Sequence, residues 1–216
     1  MTKCIVYGDF SSAYVRTVRL TLLEKHVPFD LAEVDVFGAD GPPDTYLAHH
    51  PFGRIPAFSH DGFEIFETHA ICRYIDEAFD GPSLQPRDVK LRARMAQIVG
   101  LLDSYAYRPM VWDVFVERVR RPLQGAVSDE AKITSGLAKA KRVLDVLEDL
   151  LSDYAWLAGP ALSLADLHFY PMIDYFCAAG EGRALVAAHP KLEAWRRRCA
   201  DRESIKATVS PPLLQI

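Results

Sequence analysis

Apolar and polar positions along this chain change their period more than once. Lys3 to Tyr7 is a short β-like run that ends at Gly8, and Asp9-Phe10-Ser11-Ser12 follows as a loop. Val15, Val18, Leu20, Leu22 and Leu23 then form the apolar side of a helix that reaches about Lys25. A second strand is expected from Asp30 to Val36. Strand, helix and strand in that order predict two parallel strands joined by a right-handed crossover. After a loop at Gly38–Pro43, a short helical turn is expected around Tyr46-Leu47. Ala57 opens a strand, Asp61-Gly62 turns it, and Phe63, Ile65 and Phe66 bring it back; Asp-Gly is a strong hairpin signal. A helix from Glu67 to about Phe79 closes this half.

Beyond Asp80-Gly81-Pro82-Ser83-Leu84-Gln85-Pro86, a linker by composition, the pattern is helical throughout. One long helix is expected from about Arg87 to Arg120, with a break at Arg121–Gly125. A second runs from Ser128 to Leu151, with Leu137, Val143, Leu144, Leu147 and Leu151 on one face. Ser163-Leu164-Ala165-Asp166 has the spacing of a capping box, with Asp in place of Glu. It opens a strongly apolar helix, Leu164 to Ala179, followed by shorter ones around Arg183–Ala188 and Pro190–Ala200. The fold class is therefore α/β plus all-α. Residues 1–80 form a domain with a mixed four-stranded sheet, 81–86 a linker, and 87–216 a helical bundle.

Composition narrows the function. A net charge of -4 without a concentrated basic block gives no support to nucleic-acid binding. No stretch approaches the roughly 18 apolar residues of a membrane helix. The N-terminus reads as a strand and not as a signal peptide. Cys4, Cys72, Cys177 and Cys199 are scattered, with neither Cys-x-x-Cys spacing nor a Cys/His cluster, so reduced thiols, a cytoplasmic location and no metal are expected.

The informative stretch is Pro51-Phe52-Gly53-Arg54-Ile55-Pro56-Ala57-Phe58, followed by Glu67-Thr68-His69-Ala70-Ile71. Pro56 stands where strand pairing begins, and proline cannot donate to a ladder. A cis Ile55-Pro56 bond would turn the N–H and C=O of Ile55 outward, free to pair with an extended peptide. Thr68, in a capping position, opens a helix whose first N–H groups favour a carboxylate. One segment thus offers backbone for a small peptide and an anion hole for its terminus.

These two motifs together resemble the glutathione-binding half of the cytosolic glutathione S-transferases, in a serine-type, bacterial-like form. The resemblance extends over the whole chain in length and element order. It implies a thioredoxin-like first domain, a helical second domain carrying an electrophile site, and glutathione as co-substrate. In the family's serine-type members the activating serine precedes a Pro/Ala-Tyr-like dipeptide and a helix containing Arg. Ser12-Ala13-Tyr14-Val15-Arg16 is similar, which makes Ser12 the catalytic candidate, with Ser11 the runner-up and Tyr7 third. Plain helix capping by one of the serines is the bland alternative.

For glutathione itself the resemblance implies Ser11, Arg54, Ile55, Pro56, Glu67 and Thr68, with His49 and His50 nearby. For a hydrophobic electrophile it implies Phe10, Tyr105, Arg108 and Trp112, in an aromatic-rich stretch where helix packing is the competing explanation. It also implies a detoxifying transferase acting as a homodimer, with Phe52, Arg73, Arg92 and Met95 at the contact. Two rivals remain. One is a glutathione-dependent thiol-disulfide oxidoreductase, which would usually need a cysteine where Ser12 stands. The other is a non-catalytic, transferase-like interaction module.

Overall fold

The computed structural model describes residues 3–38, 41–151 and 153–209. It divides into two compact units, residues 3–83 with 207–209, and residues 84–206. In the first unit the strands β1 (Cys4–Tyr7), β2 (Asp30–Ala32), β3 (Ala57–His60) and β4 (Phe63–Phe66) form one sheet in the order β2-β1-β3-β4. β1 and β2 are parallel, as the intervening helix α1 (Ala13–Glu24) requires, and the other pairs are antiparallel. Asp61 and Gly62 have φ of 49° and 87°, the two positive values of a type I′ hairpin turn.

The core of this unit lies between the sheet and two helices. Val6 and Phe58 of the strands, Val15, Val18, Leu20 and Leu22 of α1, and Ile71 and Ile75 of α2 (Thr68–Ala78) are all fully buried. The Lys25 ammonium ties the far end together. It donates to the carbonyls of Asp76 (3.0 Å) and Pro82 (3.2 Å) and lies 3.3 Å from the Asp76 carboxylate. The chain returns to this unit at its end, where buried Arg16 donates from Nε to the Thr208 hydroxyl at 3.3 Å.

β2 is shorter than expected. It leaves the ladder after Ala32, and Val34 turns into a small core with Tyr46 and Ala57 while its N–H still reaches the Gly8 carbonyl at 3.3 Å. The sheet ends here because β1 has already run out at Tyr7.

In the helical unit, α3 (Val89–Leu101) continues without a break through Leu102–Ala106 and Arg108–Arg120 into α4 (Arg121–Leu123). The long helix expected to about Arg120 is present and runs on to Leu123, into the expected break, and its two middle runs are π-helical, a wider register. Pro109 has no N–H to give an α-helical ladder. Gly136 faces this stretch at close quarters, since a Cβ there would lie 2.8 Å from Asp113 Cβ and 3.1 Å from the Pro109 carbonyl oxygen. α5 (Glu130–Leu151) starts two residues later than expected. Asp129 caps it by accepting the N–H groups of Ala131 and Lys132, both at 3.1 Å, while Ser128 donates to the Glu117 carbonyl at 2.7 Å.

The apolar helix α6 (Leu164–Ala178) is buried along most of its length, and α7 (Gly180–Ala187), α8 (Pro190–Ala200) and α9 (Glu203–Lys206) follow. The Asp166 carboxylate closes the start of α6. One oxygen accepts the Ser163 N–H (2.8 Å) and hydroxyl (2.7 Å), the other the Leu157 N–H and the Trp195 indole N–H, both 2.8 Å.

Candidate functional site

The sheet register gathers three loops at one edge. Tyr7 pairs with Ala57, and Ala57 with Phe66. The residues just after β1, just before β3 and just after β4 therefore lie side by side. They are Gly8 to Ser12, Ile55-Pro56 and Glu67-Thr68. Gly8, at φ 155°, is the pivot: a Cβ on it would collide with Val15 Cγ2 in the first turn of α1 and sit 3.3 Å from Ile55 Cβ. Only glycine lets the two loops approach this closely. Ile55 and Phe66 also pack on the same small core as Tyr46 and Val34.

The two adjacent serines have different bonds. Ser12 is the N-cap of α1, in extended conformation, and its Oγ accepts the Val15 N–H at 3.4 Å. The Ser11 hydroxyl instead donates in a short hydrogen bond to the Asp9 carboxylate, which also accepts the Ser11 N–H at 2.7 Å. The Asp9 carbonyl accepts the Ser12 N–H at 3.1 Å, closing the turn. Tyr7 stacks on His49 at 4.2 Å between ring centroids, and its hydroxyl pKa is raised by burial first and by the Glu64 carboxylate second. A phenol held protonated in this way can still donate a hydrogen bond.

The Ile55-Pro56 peptide is cis, and Ile55 is half-buried. Arg54 is exposed, and its carbonyl accepts the Tyr46 hydroxyl at 2.6 Å. At α2 the expected cap moves by one residue. Glu67 holds the N-cap position, without a side-chain cap bond, and buried Thr68 is the first helical residue. The reason is the Glu67 backbone, whose φ of 73° turns the chain sharply from β4 into the helix. Non-glycine residues hold such a conformation at a cost of order 1–3 kcal/mol, and such residues cluster at ligand clamps. His49 bonds the Glu64 carboxylate. His50 is buried against Phe66, and burial, the largest influence, lowers its pKa, so its ring is neutral at pH 7.

Of the electrophile candidates, Phe10 is half-buried with its ring face covered by the Arg19 guanidinium, 3.8 Å from the centroid. Tyr105 and Arg108 line a cavity of about 640 Å³ within the helical unit, together with Lys139, Arg142, Val143 and Val146 of α5. Arg108 is anchored through Nε to Asp113 at 2.9 Å. Trp112 is half-buried on the same π-helical stretch. Sequence reading missed Asp9, Arg19, Lys139 and Arg142. An Asp two residues before a loop serine is a turn signal that would have found Asp9. The other three are ordinary helix-surface residues by pattern.

Among the described residues there is no group of three or more His, Cys, Asp or Glu side chains arranged for a metal, and no helix long and apolar enough to cross a membrane. The four cysteines are free and buried, and burial pushes the Cys177 thiol up to about 12.

Comparison with known proteins agrees with this architecture. Residues 6–83 match the family model for the glutathione S-transferase N-terminal domain, and residues 105–203 the model for the C-terminal domain. A glutathione S-transferase of Hyoscyamus muticus is 32% identical over 198 residues, covering 91% of each chain. Glutathione S-transferase F13 of Arabidopsis thaliana is 31% identical over 210 residues, covering 96% of this chain and 95% of its own. Among solved structures, glutathione transferase F7 of Populus trichocarpa superposes with a TM-score of 0.84 at 30% identity, covering 95% of this chain and 97% of its own. These relatives are plant proteins, and the Populus structure shares the thioredoxin-like sheet domain and helical domain described above. By models that match both halves, and by relatives above 30% identity along nearly its whole length, the chain belongs to the glutathione S-transferase family.

Proposed function

We propose that this chain transfers glutathione to a hydrophobic electrophile, with Ser12 donating a hydrogen bond to the glutathione sulfur. A thiol must lose its proton to become a good nucleophile, and free thiols near pKa 8.5 are only a few per cent ionised at neutral pH. A hydroxyl donor beside a helix N-terminus stabilises the anion. The thiol proton leaves to solvent, the sulfur lone pair forms the new bond to carbon, and the displaced group, if there is one, departs with its electron pair. The observation that carries this reading is the difference between the serines. The Ser11 proton is given to Asp9, whereas the Ser12 oxygen accepts a helix N–H and its own proton can go to the ligand.

The remaining roles follow from the three clustered loops. Ile55 supplies backbone to the peptide. Glu67 takes the γ-glutamyl ammonium, and Thr68 with the open α2 terminus takes its carboxylate. Pro56 shapes the Ile55 clamp, Arg54 is close enough in sequence to meet a carboxylate, and Ser11 completes the wall. Tyr105, Arg108 and Trp112 of the helical unit are the electrophile contacts, with Phe10 of the sheet unit a further candidate. The apolar-walled cavity shared by Tyr105 and Arg108 supports that role for them.

A cytoplasmic homodimer completes the proposal. Four free cysteines suit a reducing compartment. Phe52 is 73% exposed, an apolar side chain suited to burial in a second copy, and Arg73 is exposed on α2. Met95 is withdrawn from that contact, since it is only 2% exposed and packs inside its own chain. Sedimentation at micromolar concentration should give a dimer, and a stable monomer would remove this part.

The deciding experiment is Ser12→Ala. Glutathione affinity should stay near wild type while the bound thiol titrates at higher pH. Turnover near neutral pH should fall by about one to three orders of magnitude, and part should return at alkaline pH. An unchanged pH profile would reject Ser12 as the donor.

A further inference from the structure

We infer that Asp9 is a positioning residue that selects which of two neighbouring serines serves the glutathione sulfur; this rests on the reading of Ser12 above. Ser11 and Ser12 are adjacent, both are half-buried, and both precede the first turn of α1. Either has the side chain of a good N-cap. A helix that began one residue earlier, capped by Ser11, would draw Ser12 into its first turn and re-aim its hydroxyl. Asp9 blocks that alternative through three contacts. Its carboxylate accepts both the Ser11 N–H, at 2.7 Å, and the Ser11 hydroxyl, so Ser11 is held in a turn facing back along the chain. Its carbonyl accepts the Ser12 N–H at 3.1 Å, which leaves Ser12 in the extended conformation, φ -75° and ψ 128°, that a cap requires.

The neighbouring contacts brace the same loop. Phe10, between Asp9 and Ser11, is pinned under the Arg19 guanidinium of α1. Gly8, before Asp9, lies so close to Val15 and Ile55 that a Cβ there would collide with Val15. With these contacts on both flanks, the choice of capping serine falls to the Asp9 carboxylate. Asp9 itself need not touch glutathione.

The test compares the pH titration of the bound thiol with the separate values of kcat and KM for glutathione, in full-length protein checked for folding by circular dichroism. Asp9→Ala should raise the bound thiol's pKa and lower kcat at pH 7 by about 3- to 30-fold, within the range for losing one well-placed donor. KM for glutathione should stay within about twofold, because the main peptide contacts, at Ile55, Glu67 and Thr68, lie on other loops. Asp9→Asn keeps an acceptor for both Ser11 groups and should behave nearly as wild type. Ser11→Ala alone sets the reference rate for the double variant. In the Asp9→Ala background it should bring kcat back to that reference, because alanine is a poor cap and Ser12 again has no competitor.

Failure to restore the rate in that double variant would make Asp9 a structural brace only and overturn the inference. So would an Asp9→Asn variant that keeps an acceptor for both Ser11 groups and yet raises the bound thiol's pKa, a readout that remains even if Asp9→Ala does not fold. If Asp9→Ala keeps the wild-type profile while Ser12→Ala shifts it, the role of Asp9 is wrong and that of Ser12 stands. If Ser12→Ala changes nothing and Ser11→Ala shifts the profile, both readings fall together.

Discussion

Two serines in this chain begin helices, and they are used in opposite ways. Ser163, at the start of α6, is 1% exposed, and its N–H and hydroxyl both end on the Asp166 carboxylate, which also collects the Leu157 N–H and the Trp195 indole. Ser12, at the start of α1, is half-buried and accepts one helix N–H at 3.4 Å. Residue type and capping position are the same; the surroundings differ. Where a carboxylate with several buried partners closes the helix start, the cap is part of the core. Where the carboxylate engages the neighbouring serine instead, the capping serine keeps the hydroxyl proposed to serve the glutathione sulfur.

The sharpest way to break the comparison is at its strongest bond set. Asp166→Ala strips acceptors from several buried donors, each of which costs about 1–3 kcal/mol when left unsatisfied. A loss of at least about 3 kcal/mol is expected, and at roughly 2–4 °C per kcal/mol for a chain of this size the melting temperature should fall by about 6–12 °C or more. Glutathione affinity of the folded fraction should not change. An unchanged melt with lost binding would move Asp166 from the folding side of the comparison to the functional side.

α2 supplies a third helix start, with no side-chain cap at all. Thr68→Val preserves shape and removes the hydroxyl proposed to meet the γ-glutamyl carboxylate. A hydrogen bond to a charged group contributes about 1.5–3 kcal/mol, so calorimetry should show glutathione binding at least about tenfold weaker. Equal affinity would leave Thr68 as a packing residue.

The smallest effects test the comparison most directly. Ser163→Ala should lower stability by about 1–2 kcal/mol, because a buried hydroxyl–carboxylate bond is lost with part of the cap. Ser12→Ala should lower stability by only about 0.5 kcal/mol, the low end for caps, because its one cap bond is long. Similar melting temperatures for the two variants would mean that the surroundings do not separate them.

Much of the fold was legible because the relevant signals are local. Asp61-Gly62 announced its hairpin through the positive φ values it tolerates, and the Ser163/Asp166 spacing announced a helix start. Errors arose where a neighbour distant in sequence decided the outcome. β2 stopped early because β1 had ended, and the π-helical register between Leu102 and Arg120 lies against Gly136 of another helix. Thr68 was misplaced by one residue because the backbone turn at Glu67 is not written in hydrophobic periodicity.

The candidate site divides along the same line. Sequence alone determined which chemical groups are present: two hydroxyls before a helix, a proline at a strand entrance, an acid and a hydroxyl before another helix, and no Cys-x-x-Cys. Those follow from composition and from spacing within a few residues. Tertiary structure decided how they are assembled. The register Tyr7–Ala57–Phe66 brings three loops to one sheet edge, and Gly8 lets α1 and Ile55 come together. A side chain's hydrogen-bond partner is set by what the fold brings within about 3 Å of it, and residues far apart in the chain supply much of that surrounding.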